Sequence, residues 1–278
     1  MTRRMTRRTC LKSSAAAGAA LAAPYVVSSA ALGLAGTVAP SNRIAAAQIG
    51  VGMMGTGDLR NFMKHFPEIR IVAVCDVDKE RRNVNNVIYG REPARKLVER
   101  HYAAKTRSGA YKGCRAYTDY RQLLAKERDL DAVMVATPDH SHAAVSIAAM
   151  KAGKHVYCQK PLTYSAQEAV TMAEVAGKMK VATQCGTGNY TQEGVFRMRE
   201  MIAAGAIGAV REVHNWSNRP VWPQGMARPK DTPPVPPGLD WDLWLAPAPK
   251  RPYHPSYLPF VWRGWLDFGT GALGDMGC

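Results

Sequence analysis

Three glycines and one acidic residue have the spacing of a dinucleotide-binding turn. Gly50, Gly52 and Gly55 end a short apolar run in the pattern G-x-G-x-x-G, and Asp76 ends a second apolar run about 20 residues later. The first glycine permits a tight turn, the second lets the backbone approach a pyrophosphate, and the third lets helix and strand pack closely. The following helix would offer free N–H groups to the anion, and Asp76 would accept hydrogen bonds from ribose hydroxyls.

Two further polar groups come directly after apolar runs. The first reads Thr137-Pro138-Asp139-His140-Ser141-His142, and the second reads Gln159-Lys160-Pro161. If the runs are parallel strands, both groups face the cofactor crevice. Either histidine alone is more commonly a cap or a surface hydrogen-bonding group, and a lysine there is more commonly a surface cation. Beside an oxidised, cationic nicotinamide, repulsion favours the neutral amine of Lys160, which then becomes a usable proton acceptor.

The elements that would hold these groups alternate between strand and helix. Strands are predicted at 42–51, 69–76, 130–136, 155–158 and 181–186, and helices at 55–65, 142–152, 165–178 and 191–204. Residues 78–105 are predicted to be helical, with Pro93 breaking the helix into two pieces. The alternation predicts a doubly wound parallel sheet.

The sequence changes character after the last of these helices. Residues 210–216 alternate as in a sheet strand, and beyond residue 218 proline and tryptophan become frequent. Because so many indoles demand burial, this stretch is predicted to be a long ordered loop rather than a linker.

Composition limits the classes of protein that the chain can belong to. With 46% hydrophobic and 21% charged residues it is typical of a globular protein. The net charge is +15, but residues 1–40 carry five basic residues and no acid, so the remainder carries +10. The remaining basic residues are interleaved with acids, which favours solvated helix faces over nucleic-acid binding. The six cysteines show neither C-x-x-C nor Cys/His spacing, so neither a metal site nor a disulfide framework is predicted.

The first forty residues are interpreted as an export signal with its spacer. Thr6-Arg7-Arg8-Thr9-Cys10-Leu11-Lys12 resembles a twin-arginine motif, and a mildly apolar stretch follows at 15–39. Cleavage near Ser28-Ser29-Ala30 is favoured over a retained anchor, because Pro24 and many alanines and glycines keep the stretch weakly hydrophobic. We therefore expect export by the twin-arginine machinery to the periplasm or the exterior.

Taken together, these motifs resemble the Gfo/Idh/MocA oxidoreductases. The glycine pattern, Asp76, the 137–142 group and Gln159-Lys160-Pro161 occur in that family's order, as do residues 240–245, Trp262-Arg263 and residues 269–278. The resemblance is strongest to the exported branch, in which glutamine replaces the glutamate of Glu-Lys-Pro. It implies a Rossmann domain at 41–162 and, at 163–278, part of a substrate and oligomerisation domain with an open, mostly antiparallel sheet.

The resemblance also implies site residues. Lys160 falls on the family's catalytic lysine and Asp275 on an aspartate of the later glycine-rich stretch, while Thr137, Pro138 and His142 would line the nicotinamide ribose. The family has a histidine four residues after that aspartate, and the chain ends one residue short of it at Cys278. We therefore expect a truncated chain of poor stability or activity, which would form homo-oligomers at full length.

Three functions are weighed. The first is hydride transfer between NAD(P) and a secondary hydroxyl of a sugar, cyclitol or related polyol, with Lys160 as general acid/base and Asp275 orienting the substrate. The second is glycoside cleavage through transient sugar oxidation, with no net redox change. The third is a non-catalytic nucleotide- or sugar-binding protein. Trp216, Trp241 or Trp262 would stack on a sugar face, although core packing is the commoner fate of an indole.

The predicted cofactor is NAD or NADP, in tightly bound form. Asp76 favours NAD because its charge repels a 2′-phosphate, although Lys79, Arg81 and Arg82 close behind it would have the opposite effect. An exported protein meets no soluble NAD pool, so the cofactor is expected to be retained rather than exchanged. The complete set of predicted cofactor contacts is Gly50, Gly52, Met53, Met54, Gly55, Asp76, Thr137, Pro138, His140, His142, Gln159 and Lys160.

Overall fold

The computed structural model of the chain describes residues 38–83, 86–188 and 192–278. The chain divides into two units, Met1–Arg43 and Ile44–Cys278. In the first unit, residues 38–43 are described and contain a 3-10 turn at Pro40–Asn42. The twin-arginine motif and its apolar stretch lie outside the described residues. Within the described ranges, no helix is long and apolar enough to cross a membrane.

The second unit is built on a six-stranded parallel sheet. The strands of this unit are β1 (Ile44–Ile49), β2 (Ile69–Cys75), β3 (Arg81–Arg82), β4 (Ile88–Tyr89), β5 (Arg115–Tyr117), β6 (Ala132–Val135), β7 (His155–Cys158) and β8 (Thr183–Cys185). The spatial order of the large sheet is β5-β2-β1-β6-β7-β8, with every neighbouring pair parallel. The order reverses between β1 and β6, and at such a reversal a ligand crevice opens at the carboxyl ends of the strands. The predicted doubly wound Rossmann sheet is confirmed.

Helices connect the strands and cover the sheet. They are α1 (Met53–His65), α2 (Arg91–Ala103), α3 (Tyr120–Lys126), α4 (Asp139–Lys151), α5 (Ala166–Met179), α6 (Glu193–Ala203), α7 (Trp241–Leu245) and α8 (Gly271–Met276), with a 3-10 turn at Val261–Gly264. Helix α5 begins with the capping box that its sequence predicts: the Ser165 hydroxyl accepts from the Glu168 N–H, and the Glu168 carboxylate accepts from the Ser165 N–H.

Successive strand residues enter different hydrophobic clusters. In β6, Val133 and Val135 belong to the cluster that contains Met150 of α4, whereas Met134 belongs to the cluster that contains Leu59 of α1. Because side chains alternate along a strand, the sheet is covered on both faces. This explains why its strands read as continuous apolar runs rather than as alternating ones.

A third cluster of nine buried residues lies in the proline- and tryptophan-rich part of the chain. We call it the aromatic cluster; it comprises Leu239, Trp241, Trp244, Leu245, Tyr253, Tyr257, Leu258, Trp265 and Phe268. The rings of Trp241 and Trp244 stack with their centroids 4.8 Å apart. The predicted ordered loop with buried indoles is confirmed for these residues. Trp216, which precedes that stretch, is 84% exposed.

The structure departs from the sequence prediction at residues 78–105. Instead of a broken helix, β3 and β4 form an antiparallel hairpin, and α2 begins only at Arg91. Gly90 precedes α2 with φ +124°, a conformation that side chains rarely adopt, so it separates the hairpin from the helix. Pro93 lies in the first turn of α2, where its missing N–H costs no helical hydrogen bond. Pro93 is therefore compatible with the first turn of α2 and does not break the helix.

Two other predictions also differ from the structure. The boundary at residue 162 falls before the last strand of the sheet, because α5 returns the chain to add β8 beside β7. Residues 210–216, predicted as a strand, form no regular element, and Val213 there is 82% exposed. A strand needs a hydrogen-bonding neighbour, and in the described part of the chain this segment has none.

Candidate active site

The glycine turn joins β1 to α1 at the carboxyl edge of the sheet. Gly50 has φ +83°, and a Cβ there would lie 2.5 Å from the Ala136 carbonyl oxygen. A Cβ on Gly55 would collide with the Gly50 carbonyl oxygen, whereas a Cβ on Gly52 would meet nothing within 4 Å. Gly50 and Gly55 therefore serve the protein's own packing, and Gly52 leaves open space.

The open space lies at the N-terminus of α1. Gly52 is the N-cap and no side chain caps the helix, so its first N–H groups remain available to an anion. Met53 and Met54 beside it are about half exposed, at 51% and 48%. An uncapped helix end with a glycine-sized gap fits the pyrophosphate of NAD, and the two methionines offer apolar surface next to it.

Asp76 ties this turn to the end of β2. Its Oδ2 accepts from the Val51 N–H at 2.8 Å, and its Oδ1 accepts from the Asp78 N–H at 2.9 Å. Burial raises the pKa of Asp76 to about 6, although these two hydrogen bonds favour the carboxylate. A carboxylate has about four lone-pair sites, so acceptors remain for a ribose hydroxyl. Asp76 therefore stabilises the glycine turn in addition to its predicted role.

Lys160 and Asp275 meet, although they lie 115 residues apart in the chain. Lys160 follows β7, and its Nζ donates to the Asp275 carboxylate Oδ1 at 3.0 Å and also to the Asp275 backbone carbonyl. The side chains are 26% and 12% exposed. An ammonium has three N–H donors, so one is left for a substrate hydroxyl. Two polar residues that lie far apart in the chain are thus held together where β7 ends.

The first turn of α4 fastens the segment that carries Asp275. The Asp139 carboxylate accepts from the Thr270 N–H at 3.1 Å and from the Thr270 hydroxyl at 2.8 Å. Thr270 is the N-cap of α8, so this contact fixes the start of the helix that presents Asp275. Burial raises the pKa of Asp139, and the Thr270 hydrogen bonds oppose that shift.

His140 fastens the aromatic cluster to the same turn. Its ring nitrogens lie 3.2 Å from the Phe268 carbonyl oxygen and 3.0 Å from the Trp244 carbonyl oxygen. Its ring is 5.2–5.3 Å from the rings of these two residues. Burial lowers the pKa of His140. His140 is only 2% exposed and is turned into the protein, so in this structure it positions the crevice rather than lining it.

His142 joins the two loops that end β6 and β7. Its ring nitrogens each lie 2.7 Å from a backbone carbonyl oxygen, one of Thr137 and the other of Pro161. Carbonyl oxygens only accept, so the doubly protonated imidazolium satisfies both contacts. Burial alone would disfavour that charge, but Cys158, the Pro161 carbonyl and Asp139 outweigh it and raise the pKa of His142 to about 9. Because Pro161 follows Lys160 directly, His142 orients the lysine's loop.

Gln159 connects the lysine's loop to the cofactor helix. Its Nε2 donates to both carboxylate oxygens of Asp58, each at 2.9 Å, and both side chains are buried. Burial raises the pKa of Asp58, and the hydrogen bond from Gln159 opposes the shift. Glutamine here thus has a structural reason, since glutamate would place a second carboxylate against Asp58.

The remaining predicted residues lie at the same edge. Pro138 is the N-cap of α4, and the Thr137 hydroxyl is buried without a hydrogen-bond partner in the described part of the chain. Among the described residues, no three His, Cys, Asp or Glu side chains group as a metal site would require.

Sequence reasoning missed two contributing residues, Asp58 and Arg219. It included Asp139 and Arg263 only as members of motifs and gave neither a role of its own. The two arginines lie beside Asp275. One signal was readable: Asp58 is a charged residue on the apolar face of α1, between Gly55 and Leu59, where a carboxylate needs a partner.

Comparison with known proteins matches two family models. Residues 44–187 match the oxidoreductase family with an NAD-binding Rossmann fold, GFO_IDH_MocA, and residues 201–278 match the C-terminal alpha/beta domain of that oxidoreductase family. Inositol 2-dehydrogenase of Salmonella paratyphi B is 28% identical over 60% of the chain and 43% of the relative, and that of Rubrobacter xylanophilus is 31% identical over 63% and 44%. The chain thus spans less than half the length of these relatives.

Among solved structures, myo-inositol 2-dehydrogenase from Lactobacillus plantarum is similar with a TM-score of 0.45 and 24% identity. The match covers 60% of this chain and 42% of that one.

The open space at Gly52 yields a prediction about cofactor binding. Gly52→Ala adds a methyl group that meets no protein atom, so the variant should fold, but the methyl group would stand where the pyrophosphate approaches. We expect the Kd for NAD to rise about 10-fold or more, equivalent to about 1.4 kcal/mol. Titration calorimetry measures this, and Gly57→Ala, an equally open position in α1, is the matched control with unchanged affinity. Equal NAD affinity of both variants would contradict the assigned pyrophosphate position.

The Gln159–Asp58 pair yields a prediction about pH. In Gln159→Glu one carboxyl must hold a proton, so its folded-state pKa lies above its unfolded value of about 4. Stability therefore falls as the pH rises through the folded value, and the variant should lose about 1–3 kcal/mol relative to the parent between about pH 5 and pH 8. Urea denaturation across this range measures the loss.

The control exchanges the two chemical groups. In Asp58→Asn combined with Gln159→Glu, an amide again faces a single carboxylate, and most of the lost stability should return. If Gln159→Glu alone were as stable as the parent at every pH, the buried hydrogen bonds between Gln159 and Asp58 would not be what holds the loop that carries Lys160.

Proposed function

Because the chain belongs to the Gfo/Idh/MocA family of NAD-binding oxidoreductases, we propose that the protein is an NAD(P)-dependent oxidoreductase. In this proposal hydride moves to or from a secondary hydroxyl of a sugar, cyclitol or related polyol. The observation that carries it is the contact of Lys160 with Asp275 at the sheet edge that also bears the glycine turn. The names of the relatives, inositol 2-dehydrogenases, support the class of substrate.

The chemistry divides between cofactor and protein. A bound nicotinamide supplies the carbon that accepts or releases hydride. Lys160 Nζ takes the hydroxyl proton when an alcohol is oxidised and returns it when a carbonyl is reduced. Asp275 holds the amine through its carboxylate and its backbone carbonyl, so that the remaining position on Nζ faces one direction only. His142, through the Pro161 carbonyl, and Gln159, through the Asp58 carboxylate, hold the loop that carries Lys160.

The contacts around Asp76 support NAD over NADP. Asp76 is ionised near neutral pH because its pKa of about 6 lies below 7, and a carboxylate repels a 2′-phosphate. The nearby arginines already have partners: Arg81 pairs with the Asp78 carboxylate, and Arg82 donates to the Asn86 side-chain oxygen at 2.8 Å. They are therefore poorly placed to neutralise a phosphate.

Export by the twin-arginine machinery is proposed from the N-terminal sequence alone. Arg7 and Arg8 carry the proposal, which implies that the protein folds around its cofactor before transport. Fractionation of cells that produce the protein tests this proposal, and we expect the protein in the periplasmic or extracellular fraction. A protein found only in the cytoplasm would contradict the proposal.

Replacing the lysine tests the proposed chemistry. Lys160→Ala should lower kcat by about 10²- to 10⁴-fold, the usual contribution of general acid/base catalysis, while the NAD affinity stays near that of the parent. The assay follows reduced nicotinamide and analyses the products with inositols and hexoses. Lys154→Ala is the matched control, since Lys154 Nζ donates to the Arg128 carbonyl at the opposite edge of the sheet.

Each outcome of this assay is informative. Unchanged kcat in Lys160→Ala would exclude the lysine as the proton-transfer group. Release of an aglycone without net reduction of NAD would favour the glycoside-cleaving alternative.

A further inference from the structure

Asp275 is surrounded by more positive charge than it can neutralise. Besides Lys160, Arg263 Nε lies 3.4 Å from the Asp275 Oδ1, and Arg219 Nε lies 3.8 Å from the Oδ2. Three cations thus face one carboxylate, and the group carries a formal charge of +2. We propose that the substrate carries an anionic oxygen group, a carboxylate or a phosphate, that Arg219 and Arg263 bind. This inference rests on the proposed function and names its class of substrate.

Hydrogen-bond donors exceed acceptors around Asp275. Arg219 Nε is buried and makes no hydrogen bond in the described part of the chain, and the same holds for the indole Nε1 of Trp222 beside it. The Asp275 carboxylate already faces three cations. Buried donors without acceptors are costly, so the arrangement favours a ligand that brings several acceptor oxygens.

Arg263 is held as a ready-made anion receptor. Its guanidinium carbon lies 4.2 Å from the centre of the Trp262 ring and 4.7 Å from that of Phe260, and its side chain is 18% exposed. One of its terminal nitrogens donates to the Phe260 carbonyl at 3.3 Å. Packing against aromatic rings restricts the guanidinium, so little of its freedom is lost on binding. A guanidinium fork matches the two oxygens of a carboxylate or phosphate.

The simpler role, in which the arginines only hold Asp275, explains less of the geometry. Lys160 Nζ donates to Asp275 Oδ1 at 3.0 Å and Arg263 Nε donates to the same oxygen at 3.4 Å, whereas Arg219 Nε approaches Oδ2 only to 3.8 Å, beyond hydrogen-bonding distance. Two cations thus already donate to this carboxylate, and a third, partly buried cation adds a desolvation cost with little Coulombic return. The position of Arg219 is therefore better explained by an anion that binds between the two arginines.

The test compares neutral and anionic substrates on the NAD-loaded protein. The probes are hexoses, the corresponding hexuronates and hexose 6-phosphates, assayed for kcat/KM and, separately, for affinity by calorimetry. In the parent, one anionic class should be preferred over the hexoses. Arg219→Gln, and independently Arg263→Gln, should lower the ratio of anionic to neutral kcat/KM by about 10- to 100-fold, as loss of a charge-assisted hydrogen bond implies.

The matched control changes net charge equally, at a distance from the site. Arg197→Gln removes a cation from the exposed face of α6, where Arg197 pairs with Glu193 at 2.6 Å, and should leave both rates unchanged. Thermal unfolding verifies that each variant folds, and the two arginine variants are independent tests. Preference for hexuronates identifies a carboxylate, and preference for hexose phosphates identifies a phosphate.

The inference and the proposed function fail in different ways. Preference for neutral hexoses, or a ratio that neither arginine variant changes, would overturn the inference; equal loss for both substrates would mean that the arginines only hold Asp275. Absence of hydride transfer from every probe would count against the proposed function, and the calorimetric affinities would then decide the inference alone.

Discussion

The first turn of α4 fixes the two segments that carry Lys160 and Asp275. Asp139 holds Thr270, His140 holds the carbonyls of Phe268 and Trp244, and His142 holds the carbonyl of Pro161. Because 115 residues separate Lys160 from Asp275 in the chain, these contacts to one helix end are needed to hold the two side chains in fixed relative positions. The lysine's loop and the C-terminal segment are thus fixed to one rigid helix end.

Burying so many polar groups is costly unless each one finds a partner. Asp139, His142 and Gln159 are each at least 90% buried, and each has hydrogen bonds to groups of opposite character. Satisfied buried networks rigidify a structure, whereas partly satisfied ones destabilise it. Proton transfer needs the amine and its partner held within about 0.5 Å of the productive geometry, and rigid supporting contacts provide this. Among the described residues of the site, this balance is incomplete at the Thr137 hydroxyl, at Arg219 Nε and at the indole Nε1 of Trp222.

Local signals in the sequence predicted a large part of this arrangement. The glycine turn, Asp76 and the Ser165 cap depend on near neighbours in the chain, and the structure places all of them where their patterns indicate. The parallel sheet followed from apolar runs of strand length. The helix prediction for residues 78–89 was wrong because a hairpin with two residues in each strand shows almost no periodicity in the sequence. The strand prediction for residues 210–216 was wrong because an alternating pattern alone does not supply a neighbouring strand.

Non-local pairings were beyond sequence reasoning. Nothing near His140 in the chain shows that its ring faces the carbonyls of Phe268 and Trp244, and nothing near Gln159 shows that Asp58 faces it. The relation of Lys160 to Asp275 came only from the family resemblance. The positions of the two arginines beside Asp275 could not be predicted, because Arg219 lies in a segment without regular structure and Arg263 lies in the short 3-10 turn Val261–Gly264.

The most direct test of the central constraint removes one hydroxyl. Thr270→Val keeps the shape of the side chain and deletes the 2.8 Å hydrogen bond to Asp139, so α8 should shift while the glycine turn stays intact. We expect kcat with the best substrate to fall by about 10-fold or more, as misplacement of a catalytic group implies, with an unchanged Kd for NAD. The control Thr171→Val loses only a hydrogen bond within α5 and should keep both values. A folded Thr270→Val variant with the kcat of the parent would contradict the role given to the first turn of α4.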